Sequence, residues 1–390
     1  MTAPQAEMPE PFAMQPSEVH VCLVSDQAAA NLLPALDPSM KPAEVVLMVS
    51  GKMQTRAAAL ETVLREAGVG TERVELPDEH NYSKLQDALL ELAGAREGQS
   101  IALNVTGGTK LMALAAQSVA AAVNWAVFYV DADTDEVIWL APKAGRQRLS
   151  RQLRLRHYLR GYGFSLDAGI QRPQRERRHD DLLRTLSTQA GSLAQPLAQL
   201  NWIAQQAEDR RRLHVQLTPD QADSRALDSL LREFTDAGAL TVVGTTLTFT
   251  SEADRDFVKG GWLEHHVFQT LAALKAELEV RDDALNLQVE DAGGVRNELD
   301  VAFLARNRLF VIECKTARMD KPEAPKANDA LFKLAEISRR VGGLGTRSML
   351  VSYRNLRDEE RRLAGALRIE VVTGSELGRL KEKIKTWVGR

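Results

Sequence analysis

Between Glu18 and Pro142 six short apolar runs recur at strand length, and they limit this part of the chain to few architectures. The runs are Val19–Val24, Val45–Val49, Val74–Leu76, Ile101–Val105, Val127–Val130 and Val137–Leu140. Runs this short with little polar alternation are buried on both faces, as in parallel sheets. Helical stretches separate the first five: Asp26–Leu36, a segment ending near Arg65, Ser83–Ala93 with leucines at helical spacing, and an Ala-rich stretch ending near Val123. A crossover helix returns the chain so that the next strand runs parallel to the last. The expectation is a mostly parallel α/β sheet covered on both faces, a Rossmann-like domain over residues 18–145.

Ligands of such sheets sit beyond the carboxyl ends of the strands. Three of those ends carry small, polar or charged residues: Ser25-Asp26-Gln27, Ser50-Gly51-Lys52 and Thr106-Gly107-Gly108-Thr109-Lys110. A glycine pair lets backbone N–H groups approach an anion, a helix N-terminus adds a favourable dipole, and Lys52 and Lys110 add full charges. Gly-Gly alone makes a tight strand-to-helix turn; the convergence of two further strand ends favours a phosphate cradle. It is not a Walker loop, which needs Gly-x-x-x-x-Gly-Lys-Ser/Thr, and without Gly-x-Gly-x-x-Gly a nicotinamide cofactor is not expected. Asn104-Val-Thr-Gly-Gly-Thr-Lys-Leu-Met112 resembles the signature of CARF domains, the CRISPR-associated Rossmann-fold sensors. Ser25-Asp26-Gln27 resembles that family's other ligand-binding segment. The resemblance implies a homodimer that binds cyclic oligoadenylate across its two-fold axis, through these three segments together with Asn104.

At 390 residues the chain is long enough for two or three cores. A net charge of -3 gives no global basic character, although a local basic groove is compatible with it. Cys22 and Cys314 are the only cysteines, both inside apolar runs. Neither a disulfide framework nor a zinc spacing exists, so a reducing cytoplasm is the expected location. No apolar run reaches about 18 residues, so no transmembrane helix and no membrane partner are expected. Met1–Pro16 holds several prolines and lacks a basic start with an apolar core, and reads as a flexible tail rather than a secretion signal.

Residues 146–257 read as a basic linker and a connector. Lys143, Arg146, Arg148, Arg151, Arg154, Arg156, Arg160 and Arg172 through Arg178 crowd the linker, with only Tyr158, Tyr162 and Phe164 interleaved. A solvated helix and linker is the expectation, and no site is assigned there. Helical periodicity follows in Leu182–Leu193 and Leu227–Ala237, then a hairpin formed by Leu240–Val243 and Leu247–Thr250. Helices followed by a hairpin suggest a small winged-helix-like connector with a structural role.

The last domain spans residues 258–390. Leu263, Val267, Leu271, Leu274 and Leu278 follow helical spacing, and Glu264 turns toward the same face. A carboxylate there is costly unless it is paired or bound to a cation. Further on, Glu298-Leu-Asp300-Val and Val311-Ile-Glu313-Cys-Lys315-Thr316 flank a polar Arg306-Asn307-Arg308 turn. With 306–307 at the tip, Asp300 stands opposite Glu313, Cβ atoms roughly 4.5–5.5 Å apart, and Glu313 shares a face with Lys315. Two carboxylates so close demand positive charge. Lys315 supplies one, and a divalent ion would supply more; oxygen donors suit Mg²⁺ or Mn²⁺. A metal so held lowers the pKa of bound water and polarises a phosphoryl oxygen. Helices at Ala330–Val341, Arg357–Leu367 and Leu377–Val388, with strands at Ser348–Tyr353 and Ile369–Val372, complete a mixed sheet. Asp followed by Glu-x-Lys resembles the PD-(D/E)xK motif of restriction-endonuclease-like nucleases, with Glu298-Leu-Asp300 standing where Pro-Asp is usual. The resemblance implies that Asp300, Glu313 and Lys315 are catalytic. It also implies that Glu264, matching a helix glutamate of that class, joins Asp300 and Glu313 on the metal.

Sensor first and nuclease last, the order resembles the single-CARF effector nucleases of type III CRISPR defence. That resemblance implies a homodimer switched on by cyclic tetra-adenylate, cleaving DNA by nicking or single-strand cutting, with RNA as a further substrate. Two alternatives belong to other classes: a ligand-responsive transcriptional regulator reading DNA through the connector, and a ring nuclease degrading its own cyclic oligoadenylate. The intact Asp300/Glu313/Lys315 set argues against the first, and the second would not need Glu313.

Overall fold

Strand order in three sheets positions everything that follows in the computed structural model, which describes residues 14–132, 134–150, 153–166, 169–173, 175–316 and 326–389. Most of the N-terminal tail, residues 1–13, thus lies outside the described residues. The first sheet comprises β1 (Val19–Leu23), β2 (Glu44–Val49), β3 (Gly70–Glu75), β4 (Ile101–Asn104), β5 (Ala126–Asp131), β6 (Glu136–Ala141) and β7 (Gly145–Arg148). Its order is β3-β2-β1-β4-β5-β6-β7. The first five are parallel, and β6 and β7 close the edge antiparallel. The order reverses between β1 and β4, so the helices that follow them, Ala28–Leu36 and Lys110–Ala122, cover opposite faces. That reversal opens a crevice at the strand ends.

The connector begins with helices Asp180–Thr188 and Ala190–Asp209. Then come β8 (His214–Gln216), a short helix Pro219–Ala222, helix Arg225–Asp236, β9 (Leu240–Val243) and β10 (Thr246–Phe249). Its sheet is ordered β8-β10-β9. Helix, strand, two helices and a hairpin make a winged-helix arrangement.

The third sheet runs β11 (Val280–Glu290), β12 (Arg296–Ala305), β13 (Arg308–Lys315), β14 (Arg347–Ser352) and β15 (Ile369–Thr373), in that order. The first three are antiparallel and the last two join in parallel. Helix Trp262–Ala272 precedes the sheet; helices Lys326–Gly342, Asp358–Ala366 and Leu380–Gly389 complete it. Leu287, Leu299, Ala302, Leu309 and Val311 of this sheet share a core with Leu32, Leu60 and Trp139 of the first domain. Val301, Phe303, Ile312 and Met349 share another with the connector's Leu186, Leu200 and Phe234. The third sheet is therefore packed against both the first domain and the connector. Among the described residues no helix is long and apolar enough to cross a membrane.

Two differences from the sequence reading bear on the third sheet. The helix expected to reach Leu278 ends at Ala272, and β11 has no counterpart in the apolar pattern. Asp282 and Asp283 interrupt that strand's alternation, and their burial is offset from outside it. Asp282 accepts the backbone N–H of Leu155 at 2.8 Å and pairs with Arg172. Asp283 pairs with Lys275 at 2.8 Å. Other linker cations are likewise engaged within the chain: Arg146 with Glu136, Arg160 with Glu66, Arg175 with Asp180, and Arg178 with Asp254.

Candidate functional site

Arg306 and Asn307 both take positive φ, 50° and 54°, the two-residue tip whose twist matches that of its strands. Pairing then runs from Ala305–Arg308 to Val301–Ile312, and the next position in this register opposes Asp300 and Glu313. There the strands part, β12 staying with β11 and β13 pairing with β14. The Asp300 carboxylate bridges the opening, its Oδ2 accepting the Cys314 N–H at 2.7 Å. Asp300 and Glu313 are each only 8% exposed. Lys315 Nζ lies 2.5 Å from Glu313 Oε1.

Burial, then the negative charge of Glu313, pushes the Asp300 carboxyl up to about 8, against the pull of Lys315 and the Cys314 N–H. The Lys315 ammonium is opposed by burial, yet Glu313 and Asp300 outweigh it and hold its pKa above the usual lysine value. Glu264 sits in the first turn of helix Trp262–Ala272. Burial raises its carboxyl, and the charges of Glu298 and Glu313 add to the rise, while an Asn286 hydrogen bond and Lys315 oppose it. Asp300 and Glu264 thus both feel Glu313, and Lys315 opposes the rise in each.

The approach of Glu264 depends on a wide helical turn at Phe257–Gly261, where Gly260 has φ 156°. A Cβ at Gly260 would stand 2.5 Å from Thr316 Oγ1, so only glycine lets the helix start abut the end of β13. Asn201 of the connector donates to the same hydroxyl at 3.1 Å. Asn286 is a residue that sequence reasoning missed. It opposes Asp300 across β11–β12 in the register of Leu285–Val301 and Leu287–Leu299, and has φ 49°. The only signal was an amide between two leucines.

The donor chemistry fits a hard divalent cation. Among the described residues the donor groups of Glu264, Asp300 and Glu313 are all oxygen, and the buried Asn286 Oδ1 has no hydrogen-bond partner. Among the described residues no three His, Cys, Asp or Glu side chains already stand in ligand geometry, and Glu313 is turned to Lys315. Residues 317–325, directly after β13, lie outside the described residues.

The three predicted strand ends do converge on one edge of the first sheet. Gly107 packs so closely there that a Cβ would stand 2.0 Å from the Leu23 carbonyl oxygen; Gly108 has φ 74°. Asn104 is fully buried and faces inward, donating to the Ala30 carbonyl at 2.9 Å and accepting from the Thr106 hydroxyl at 2.6 Å. Thr106 Oγ1 also accepts the Val130 N–H at 2.7 Å. Both residues shape the loop from beneath. Thr109 caps the next helix through the Met112 N–H. Ser50 is buried, Gly51 exposed, and Lys52 pairs with Glu79 at 2.9 Å. Asp26, Gln27, Thr109 and Lys110 are exposed and Ser25 half-buried; these groups remain on the surface of the cradle.

Comparison with known proteins agrees with both halves. Residues 19–158 match the model of the Card1 CARF domain, and residues 251–390 match that of the Card1-like endonuclease domain. No curated protein matches the chain. Protein VC1899 from Vibrio cholerae is 28% identical, with a TM-score of 0.87 over 95% of this chain and 98% of that one. Can2 from Sulfobacillus thermosulfidooxidans, solved in complex with cyclic tetra-adenylate, is 25% identical, with a TM-score of 0.77 over 96% and 98%. A type III CRISPR defence DNA nuclease activated by cyclic oligoadenylate shares the fold at 22% identity, with a TM-score of 0.52 over 90% of this chain and 48% of that one.

Proposed function

We propose, from the premise that this chain joins a Card1-type CARF domain to a Card1-like endonuclease domain, that it is a metal-dependent nuclease switched on by cyclic tetra-adenylate. In this reading residues 18–145 are the sensor, 146–257 the linker and connector, and 258–390 the nuclease. The observation that carries it is the Asp300–Glu313–Lys315 constellation, two buried carboxylates in register with the lysine on the Glu313 side. The complex of Can2 with cyclic tetra-adenylate supports the choice of activator.

Glu264, Asp300 and Glu313 would hold Mg²⁺ or Mn²⁺, which supplies a polarised phosphoryl oxygen and an acidified water when bound. The chain's own groups do the rest. Lys315 donates to the charge that develops on the phosphate. Asp300, pinned by the Cys314 N–H, keeps β12 and β13 at a fixed opening. DNA, nicked or cut as a single strand, is the primary substrate, and RNA a further one. Two copies would join through the face bearing the helix that follows the cradle, where Leu114 is 63% exposed, setting two cradles about one cyclic ligand.

The test separates cutting from sensing. Plasmid DNA and labelled RNA are incubated with Mg²⁺ or Mn²⁺, with and without cyclic tetra-adenylate. Glu313→Ala is expected to lose at least about a hundredfold in cleavage rate, with cyclic tetra-adenylate binding retained by calorimetry. Equal cutting by parent and variant would reject the site.

A further inference from the structure

The hairpin that carries Asp300 and Glu313 does not end in solvent. Its tip residue Asn307 is 3% exposed and lies against the sensor's β5–β6 turn. The Asn307 amide donates to the Ala132 carbonyl at 3.2 Å and to the Asp135 carboxylate. Asp135, 5% exposed, also forms an ion pair with Arg281 of β11, whose side chain is 8% exposed. The Leu149 N–H donates to the Asp135 carbonyl at 2.7 Å, fixing the turn from the sensor side. One buried carboxylate therefore grips both β11 and the tip of the β12–β13 hairpin.

The same turn is tied to the ligand cradle. It leaves β5 just after Val130, whose N–H is held by the Thr106 hydroxyl, and Thr106 precedes Gly107-Gly108. From the cradle loop to the hairpin tip the connection is therefore Thr106, Val130, the turn, Asp135 and Asn307. Beyond the tip, five consecutive residue pairs from Ala305–Arg308 to Val301–Ile312 lead straight to Asp300 and Glu313. An apolar contact would stabilise such a junction at least as well as a buried ion pair; what the charged, hydrogen-bonded grip adds is a fixed arrangement.

We propose that Asp135 of the sensor is a positioning residue of the nuclease: it holds the tip of the catalytic hairpin, and through that grip the state of the cradle reaches Asp300 and Glu313. The inference rests on the activation by cyclic tetra-adenylate proposed above and names its route. A ligand shifts such an equilibrium only by binding one arrangement better than the other, so cutting the route removes stimulation without removing binding.

The test uses the full chain with Asn307→Gly, because glycine accepts the positive φ of the tip while deleting the amide. Asp135→Asn serves as a second variant that drops the charge and keeps the shape. In both, cyclic tetra-adenylate affinity by calorimetry should stay within about twofold. Stimulation by cyclic tetra-adenylate should fall at least about tenfold. Hydrogen exchange over residues 296–316 should respond to cyclic tetra-adenylate in the parent and not in Asn307→Gly. Parent-like stimulation of both variants, or loss of cyclic tetra-adenylate binding in Asn307→Gly, overturns this inference while leaving the activation reading intact. A parent that cyclic tetra-adenylate fails to stimulate overturns the activation reading, and this inference with it.

Discussion

Replacing Asp300 by asparagine should make the metal-free protein more stable while removing its activity. The carboxyl is buried beside Glu313, and its pKa stands at about 8, against about 3.9 in an unfolded chain. At pH 7 the folded state keeps a proton that the unfolded state releases, so ionisation favours unfolding. At about 1.4 kcal/mol per pH unit over roughly three units, the penalty reaches about 4 kcal/mol; we expect about 2–4 kcal/mol. The sign follows from a raised carboxyl: stability is fully present below about pH 4 and is lost as pH rises toward about 8. Asparagine has no proton to lose, and its amide oxygen can still accept the Cys314 N–H. Scanning calorimetry in a chelator should therefore show Asp300→Asn melting roughly 2–5 °C above the parent at pH 7. The gap should close toward pH 4, and added Mg²⁺ should narrow it at pH 7 by stabilising the parent alone. A variant no more stable than the parent at pH 7, or a gap independent of pH, would refute the electrostatic account of the cluster.

Two further predictions concern the sensor. Gly107→Ala places a methyl 2.0 Å from the Leu23 carbonyl oxygen and should destabilise the chain by about 2–3 kcal/mol; an unchanged thermal midpoint would show that the loop can yield. Lys110→Ala should weaken cyclic tetra-adenylate binding about tenfold, with a matching rise in the concentration needed for activation; unchanged calorimetric affinity would remove Lys110 from the cradle.

The sequence made the hairpin legible because its tip and alternation leave only one register, and a slip of one residue would send Asp300 and Glu313 to opposite faces. The parallel sheet was legible from apolar runs that no other architecture buries as well. Less was visible where partners come from distant chain segments. β11 went unread because Asp282 and Asp283 look like loop residues until Leu155, Arg172 and Lys275 are brought to them. Asn104 and Thr106 look like ligand groups in a linear motif, yet the sheet turns them inward to hold the loop. Asn307 reads as a turn residue, and its contact with Asp135 lies 172 residues away in the chain.

The central claim is that Asp300 and Glu313 share one divalent cation beside Lys315. Its most direct test is a Mn²⁺ titration, followed by electron paramagnetic resonance, of the parent, Asp300→Asn and Glu313→Gln, each saturated with cyclic tetra-adenylate. The account predicts one site in the parent that either substitution weakens by about tenfold or more. Equal Mn²⁺ affinity in all three proteins would contradict it.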